Sequence, residues 1–86
     1  MTVFQFAFTP TGKRDLKKLP DETRRRILEK IKAYIDTGMP LAFAKPLINL
    51  PPATHRFRIG KYRACFYLEA QSIVIDAIEK RGDAYR

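Results

Sequence analysis

The spacing of apolar residues along this chain changes period twice, from 2 to 3.6 and back to 2, and that order leaves few folds open. Phe4, Phe6 and Phe8 alternate with Gln5 and Ala7, which predicts a strand over residues 3 to 8 with one buried face. Thr9-Pro10-Thr11-Gly12 interrupts the alternation. Lys13 to Leu19 follows with Leu16 and Leu19 three apart, as on one side of a short helix that ends before Pro20. A second helix is expected from an Asp21 N-cap to Gly38, because Ile27, Leu28, Ile31, Tyr34 and Ile35 fall on a single stripe. Pro40, Pro46, Pro51 and Pro52 make residues 39–53 an ordered but irregular connection. The strand pattern then returns as a meander: His55 to Ile59, a tight turn at Gly60-Lys61, Tyr62 to Glu69, a turn at Ala70-Gln71, and Ser72 to Glu79. The expected order is β-α-α-β-β-β, an α+β domain over residues 1–86 with a mainly antiparallel four-stranded sheet and two helices packed on one face.

A chain of 86 residues has room for one modest core, with about two-thirds of its surface buried on folding. The 45% hydrophobic content excludes a disordered polybasic tail in spite of a net charge of +8. Cys65 is the only cysteine and His55 the only histidine, which excludes a disulfide framework and argues against a metal site built from protein ligands, so no metal or cofactor is expected. A reducing cytoplasm fits this usage best. The apolar runs are far shorter than the ~20 residues that span a bilayer, so no membrane partner is expected. The first eight residues lack the basic start and cleavage site of a secretory leader, and the mature chain is expected to begin here.

The charge is unevenly spread. Between Lys45 and Leu68 the chain holds Lys45, Arg56, Arg58, Lys61 and Arg63 and no acid. The basic run on the second helix, Arg24 to Lys32, lies mostly off the apolar stripe and reads as a solvated helix face. In the meander, alternation sends His55, Phe57 and Ile59 to one side and Arg56 and Arg58 to the other, while Arg63 starts the next strand just past the turn. Two readings stay open for that arginine face: a solubilising strand surface, or a surface for RNA, DNA or an acidic partner, since the planar guanidinium grips phosphate oxygens two at a time. Arg81 and Tyr85 follow the last strand and are placed to fold back over the same face. Alternation turns His55 away from it, and Cys65, Glu69 and Asp76 attract no functional role.

Four stretches, in this order, resemble the RelE/ParE superfamily of toxins from type II toxin-antitoxin modules: Lys13-Arg14-Asp15-Leu16-Lys17-Lys18-Leu19-Pro20, Lys45-Pro46-Leu47, Arg56-Phe57-Arg58-Ile59-Gly60-Lys61-Tyr62-Arg63, and Lys80-Arg81 through Tyr85. The resemblance covers essentially the whole chain. It implies a small α+β toxin with a basic sheet surface, neutralised by an antitoxin encoded alongside that wraps it with an extended segment. In the RelE-like branch such a protein enters the ribosome and cuts mRNA, the 2′-hydroxyl acting as internal nucleophile; in the ParE-like branch the same fold inhibits DNA gyrase and cleaves nothing. A toxin-like protein that only binds its antitoxin is a further possibility.

On the RelE-like reading, which is favoured, Arg63, Arg81 and Tyr85 are expected to be catalytic and Lys45, Arg56, Arg58 and Lys61 to bind RNA. The chemistry would be metal-free transesterification with arginine stabilising charge at the phosphate. A guanidinium is a poor general base, so Tyr85, beside Arg81, is the expected base or proton relay.

Overall fold

The computed structural model describes residues 3–80. Arg81 and Tyr85, expected to be catalytic, lie outside the described residues. Strand β1 (Gln5–Phe8) leads into helix α1 (Pro10–Lys17), which starts earlier than the apolar spacing predicts. Thr9, read from sequence as part of an interruption, is the N-cap: its hydroxyl accepts the Gly12 N–H at 3.0 Å, and Pro10 occupies the first turn, where its missing N–H costs nothing. Helix α2 (Asp21–Asp36) lies where expected, but Pro20 is its N-cap residue and Asp21 is already helical, ion-paired to Arg24. Ile27, Ile31 and Ile35 are buried, and Gly38 at φ +77° follows its end.

The proline-rich connection holds more structure than its composition suggests. A 3-10 turn, Pro40–Phe43, stacks Phe43 on Tyr34 with ring centroids 4.6 Å apart. It feeds a three-residue strand β2 (Ala44–Pro46), which pairs antiparallel with β3 (His55–Ile59) in the register Ala44↔Phe57, Lys45↔Arg56, Pro46↔His55. A proline is tolerated there because β2 is an edge strand. Strands β3, β4 (Tyr62–Glu69) and β5 (Ser72–Lys80) form the expected meander. The sheet therefore has five strands rather than four, ordered β1-β5-β4-β3-β2, with β1 parallel to β5 and every other pair antiparallel. At the β3–β4 turn the left-handed φ of +59° falls on Gly60, which takes it without strain.

Both helices pack on one face of the sheet. Leu16 of α1 and the isoleucines of α2 meet Phe57, Ile59, Ala64, Phe66, Ile73, Ile75 and Ile78, with Phe4, Phe6 and Phe8 at the margin. A β-bulge places Asp76 outside the β4–β5 pairing, since Cys65 opposes Ala77 and Phe66 opposes Ile75. It reverses the strand's phase: Ile73 and Ile75 face the core before it, Ile78 after it. Helix α1 is anchored at this bulge. The Thr9 hydroxyl donates to the Asp76 carboxylate at 3.0 Å, the Ile78 N–H donates to Asp15 Oδ2 at 3.1 Å, and a Cβ on Gly12 would lie 2.2 Å from the Ile75 carbonyl oxygen.

Candidate functional site

The sheet face turned away from the helices is set by alternation along β3 and β4 and by the bulge in β5. On β3 it carries Arg56 and Arg58, on β4 Arg63, Cys65, Tyr67 and Glu69, and on β5, past the bulge, Ala77 and Glu79. Pairing arranges these side chains in two rows. One runs Lys45, Arg56, Cys65, Ala77 from β2 to β5; the other runs Arg58, Arg63, Glu79 from β3 to β5. Lys45, Arg56, Arg58 and Arg63 thus share one face: alternation along β3 predicts this for Arg56 and Arg58, while Arg63 and Lys45 join them through the β3–β4 and β2–β3 registers.

Their surroundings differ. Lys45 and Arg58 are exposed, and Arg56 is half-buried with Nη1 donating to the Pro46 carbonyl at 3.2 Å. Arg63 is buried, 8% exposed, and its Nη2 meets Glu79 Oε2 at 3.1 Å. The arginine cluster expected from sequence therefore contains an acid that the sequence reading did not assign to it. Lys61 sits apart, at the hairpin turn. It lines a cavity of about 490 Å³ with Arg26 and Ile27 of α2, Ile59, Tyr62 and Lys80.

Two groups with tempting chemistry are unsuited to proton transfer on this face. His55 lies on the other side of β3, stacked on Phe66 at 5.7 Å with Nδ1 2.9 Å from the Thr54 hydroxyl, as alternation predicts. Cys65 is on the basic face but 2% exposed. Desolvation, reinforced by Glu79 and opposed by Arg63 and Arg56, pushes its thiol up to about 11. It is neutral and inert near pH 7. Among the described residues no cluster of three or more His, Cys, Asp or Glu side chains is placed to hold a metal ion, and no helix is long and apolar enough to cross a membrane.

A surface of this kind can hold a polyanion: Lys45 and the Arg58 guanidinium are exposed to phosphate oxygens, and the buried Arg63 guanidinium, held by Glu79, adds positive charge beside Arg58.

Comparison with known proteins gives concordant relatives. Residues 6–85 match the family described as the ParE toxin of the type II toxin-antitoxin system, parDE. The chain is 34% identical over 82 residues to Toxin RelG of Mycobacterium tuberculosis, covering 92% of each chain. Its fold superimposes on a chain of the toxin-antitoxin complex RelBE2 from Mycobacterium tuberculosis with a TM-score of 0.76 at 28% identity, covering 91% of this chain and 98% of that one. A chain of the archaeal RelE-RelB complex from Pyrococcus horikoshii shares the fold with a TM-score of 0.70 at 22% identity, over 93% and 97% of the two chains.

Proposed function

The chain belongs to the RelE/ParE superfamily of type II toxin-antitoxin toxins, and from that premise we propose that it is a ribosome-dependent endoribonuclease that blocks translation by cutting mRNA. The observation that carries this reading is the convergence of Lys45, Arg56, Arg58 and Arg63 on one sheet face, with Arg58 and Arg63 directly opposed across the hairpin. Opposed like charges cost stability, and a phosphodiester between them repays that cost. Lys45, Arg56 and Arg58 grip the RNA backbone, and Lys61 extends the basic surface at the turn. Arg63 and Arg81 stabilise charge on the phosphorane, and Tyr85 takes part in proton transfer. The protein acts in the cytoplasm and is neutralised by a cognate antitoxin encoded alongside, a partnership supported by the RelB-containing complexes its fold resembles.

The test is translation in a purified system with this protein added, followed by mapping of transcript 5′ ends. Discrete cuts within codons at the ribosomal position are expected. Intact transcripts with loss of gyrase supercoiling overturn the nuclease reading in favour of a non-enzymatic gyrase inhibitor, the reading favoured by the match to the ParE family. Intact transcripts with supercoiling also unaffected leave a protein that binds only its antitoxin.

A further inference from the structure

Cleavage by the 2′-hydroxyl needs a group to take its proton, and the arginines of this face have no acceptor to offer. Nor does the neutral, buried Cys65 thiol, and His55 is on the opposite side of β3. Tyr85 lies outside the described residues, and a phenol, with an ordinary pKa of about 10, keeps its proton at neutral pH and is better suited to donate one. Carboxylates remain. Asp76 is engaged by the Thr9 hydroxyl at the bulge, and Glu69 stands six residues along β4 from Arg63, about 20 Å away at strand spacing. Glu79 is different. It is half-exposed, touches Arg63 at 3.1 Å, and closes the row that begins at Arg58.

Resting on the nuclease reading above, the geometry points to Glu79 as the general base of the cleavage site. The 2′-oxygen lies next to the phosphorus it attacks, so its base must stand beside the groups that grip that phosphate. Glu79 stands beside Arg63, its Oε2 3.1 Å from Arg63 Nη2. In the step, the 2′-O–H proton passes to the Glu79 carboxylate as the 2′-oxygen bonds to phosphorus. The P–O5′ bond breaks, and the released 5′-oxygen takes a proton from water. The products are a 2′,3′-cyclic phosphate and a 5′-hydroxyl, and Glu79 returns its proton to solvent. The bulge at Asp76 is what makes this possible, because it brings Glu79 to the basic face instead of the core face shared by Ile73 and Ile75.

The experiment compares the wild-type protein with Glu79→Gln and Glu79→Asp, measuring single-turnover cleavage of mRNA on programmed ribosomes and, separately, binding to those ribosomes. Glutamine keeps an oxygen acceptor for Arg63, so a hydrogen bond to Arg63 survives without the negative charge or the base. The expected result is a loss of roughly 10²- to 10⁴-fold in the cleavage rate for Glu79→Gln with binding within about threefold of wild type, and partial recovery in Glu79→Asp. Cleavage by Glu79→Gln within about threefold of wild type overturns the inference and leaves the nuclease reading intact. A parallel loss of binding and cleavage also overturns it, assigning Glu79 to holding Arg63 only. Absence of cleavage by the wild-type protein, with binding intact, overturns the nuclease reading itself and the inference with it. Thermal unfolding of each variant identifies a fold defect, and a Glu79→Gln protein that is folded but still cuts at full rate is decisive against the proposal.

Discussion

Arg58 and Arg63 stand directly opposite each other across the β3–β4 hairpin, two guanidiniums on one face of adjacent strands. Side chains so paired have Cβ atoms about 5 Å apart, and like charges there oppose folding. Arg58 is exposed and Arg63 is held by Glu79, so the repulsion is best relieved at Arg58. Arg58→Thr is expected to raise stability by a few tenths of a kcal/mol, about the size of one unfavourable cross-strand pair, and to weaken RNA binding by about tenfold. Urea denaturation and filter binding on the same samples check both signs. A variant that gains stability and keeps full RNA affinity removes Arg58 from the binding face.

One of the ties between helix α1 and β5 is the Asp15 carboxylate. The Ile78 N–H lies past the point where β1 pairs with β5, and it donates to Asp15 Oδ2 instead of to a strand carbonyl. Asp15→Ala leaves that amide without a partner and is expected to cost about 1–3 kcal/mol in chemical denaturation, while Asp15→Asn, which keeps a carbonyl acceptor, costs clearly less. Equal losses in the two variants count against the hydrogen bond as the cause.

Gly12 allows the same helix to approach. A Cβ at this position would sit 2.2 Å from the Ile75 carbonyl oxygen and 3.0 Å from its carbon, both rigid backbone atoms in the middle of the sheet. Gly12→Ala is therefore expected to destabilise the protein by about 1–3 kcal/mol although alanine is the better helix former. Measured stabilisation would mean that α1 is free to lift from β5.

The parts of this architecture set by local chemistry were legible in the sequence. Phe6 and Phe8 of β1, with Phe4 just before it, pack against the core, the isoleucine stripe of α2 is buried, and Arg56 and Arg58 emerge opposite Phe57 and Ile59. What escaped depends on pairing between distant segments. Strand β2 exists because the Ala44–Pro46 backbone pairs with β3 across a loop, and nothing within Ala44–Pro46 announces it. Glu79 reaches the basic face only because the bulge at Asp76 reverses the alternation of β5, a shift that strict period-2 counting from Ile73 and Ile75 does not register. The Thr9-Pro10 pair was the exception, a helix start written in the local sequence but masked by the look of a turn.

Cys65 makes stability depend on pH in one direction. Its thiol is pushed up from 9.0 to about 11 in the folded protein, mainly by desolvation, so the folded state disfavours the thiolate that the unfolded chain forms more readily. The sign follows from linkage: with the folded value above the unfolded one, the contribution is fully present below about pH 9 and is lost as pH rises toward about 11. Other groups titrate in that window, so the informative quantity is the difference between the wild-type protein and Cys65→Ala. The stability of the wild type relative to that variant is expected to be flat from pH 6 to 8.5 and to fall between pH 9 and 11. At pH 7.5 the folded thiol should also resist alkylation by iodoacetamide and react only after denaturant is added, because it is both neutral and 2% exposed. Rapid alkylation of the native protein, or a relative stability that rises with alkaline pH, would show that Cys65 is ionised on the basic face and would return it to consideration as a proton-transfer group beside Arg56 and Arg63.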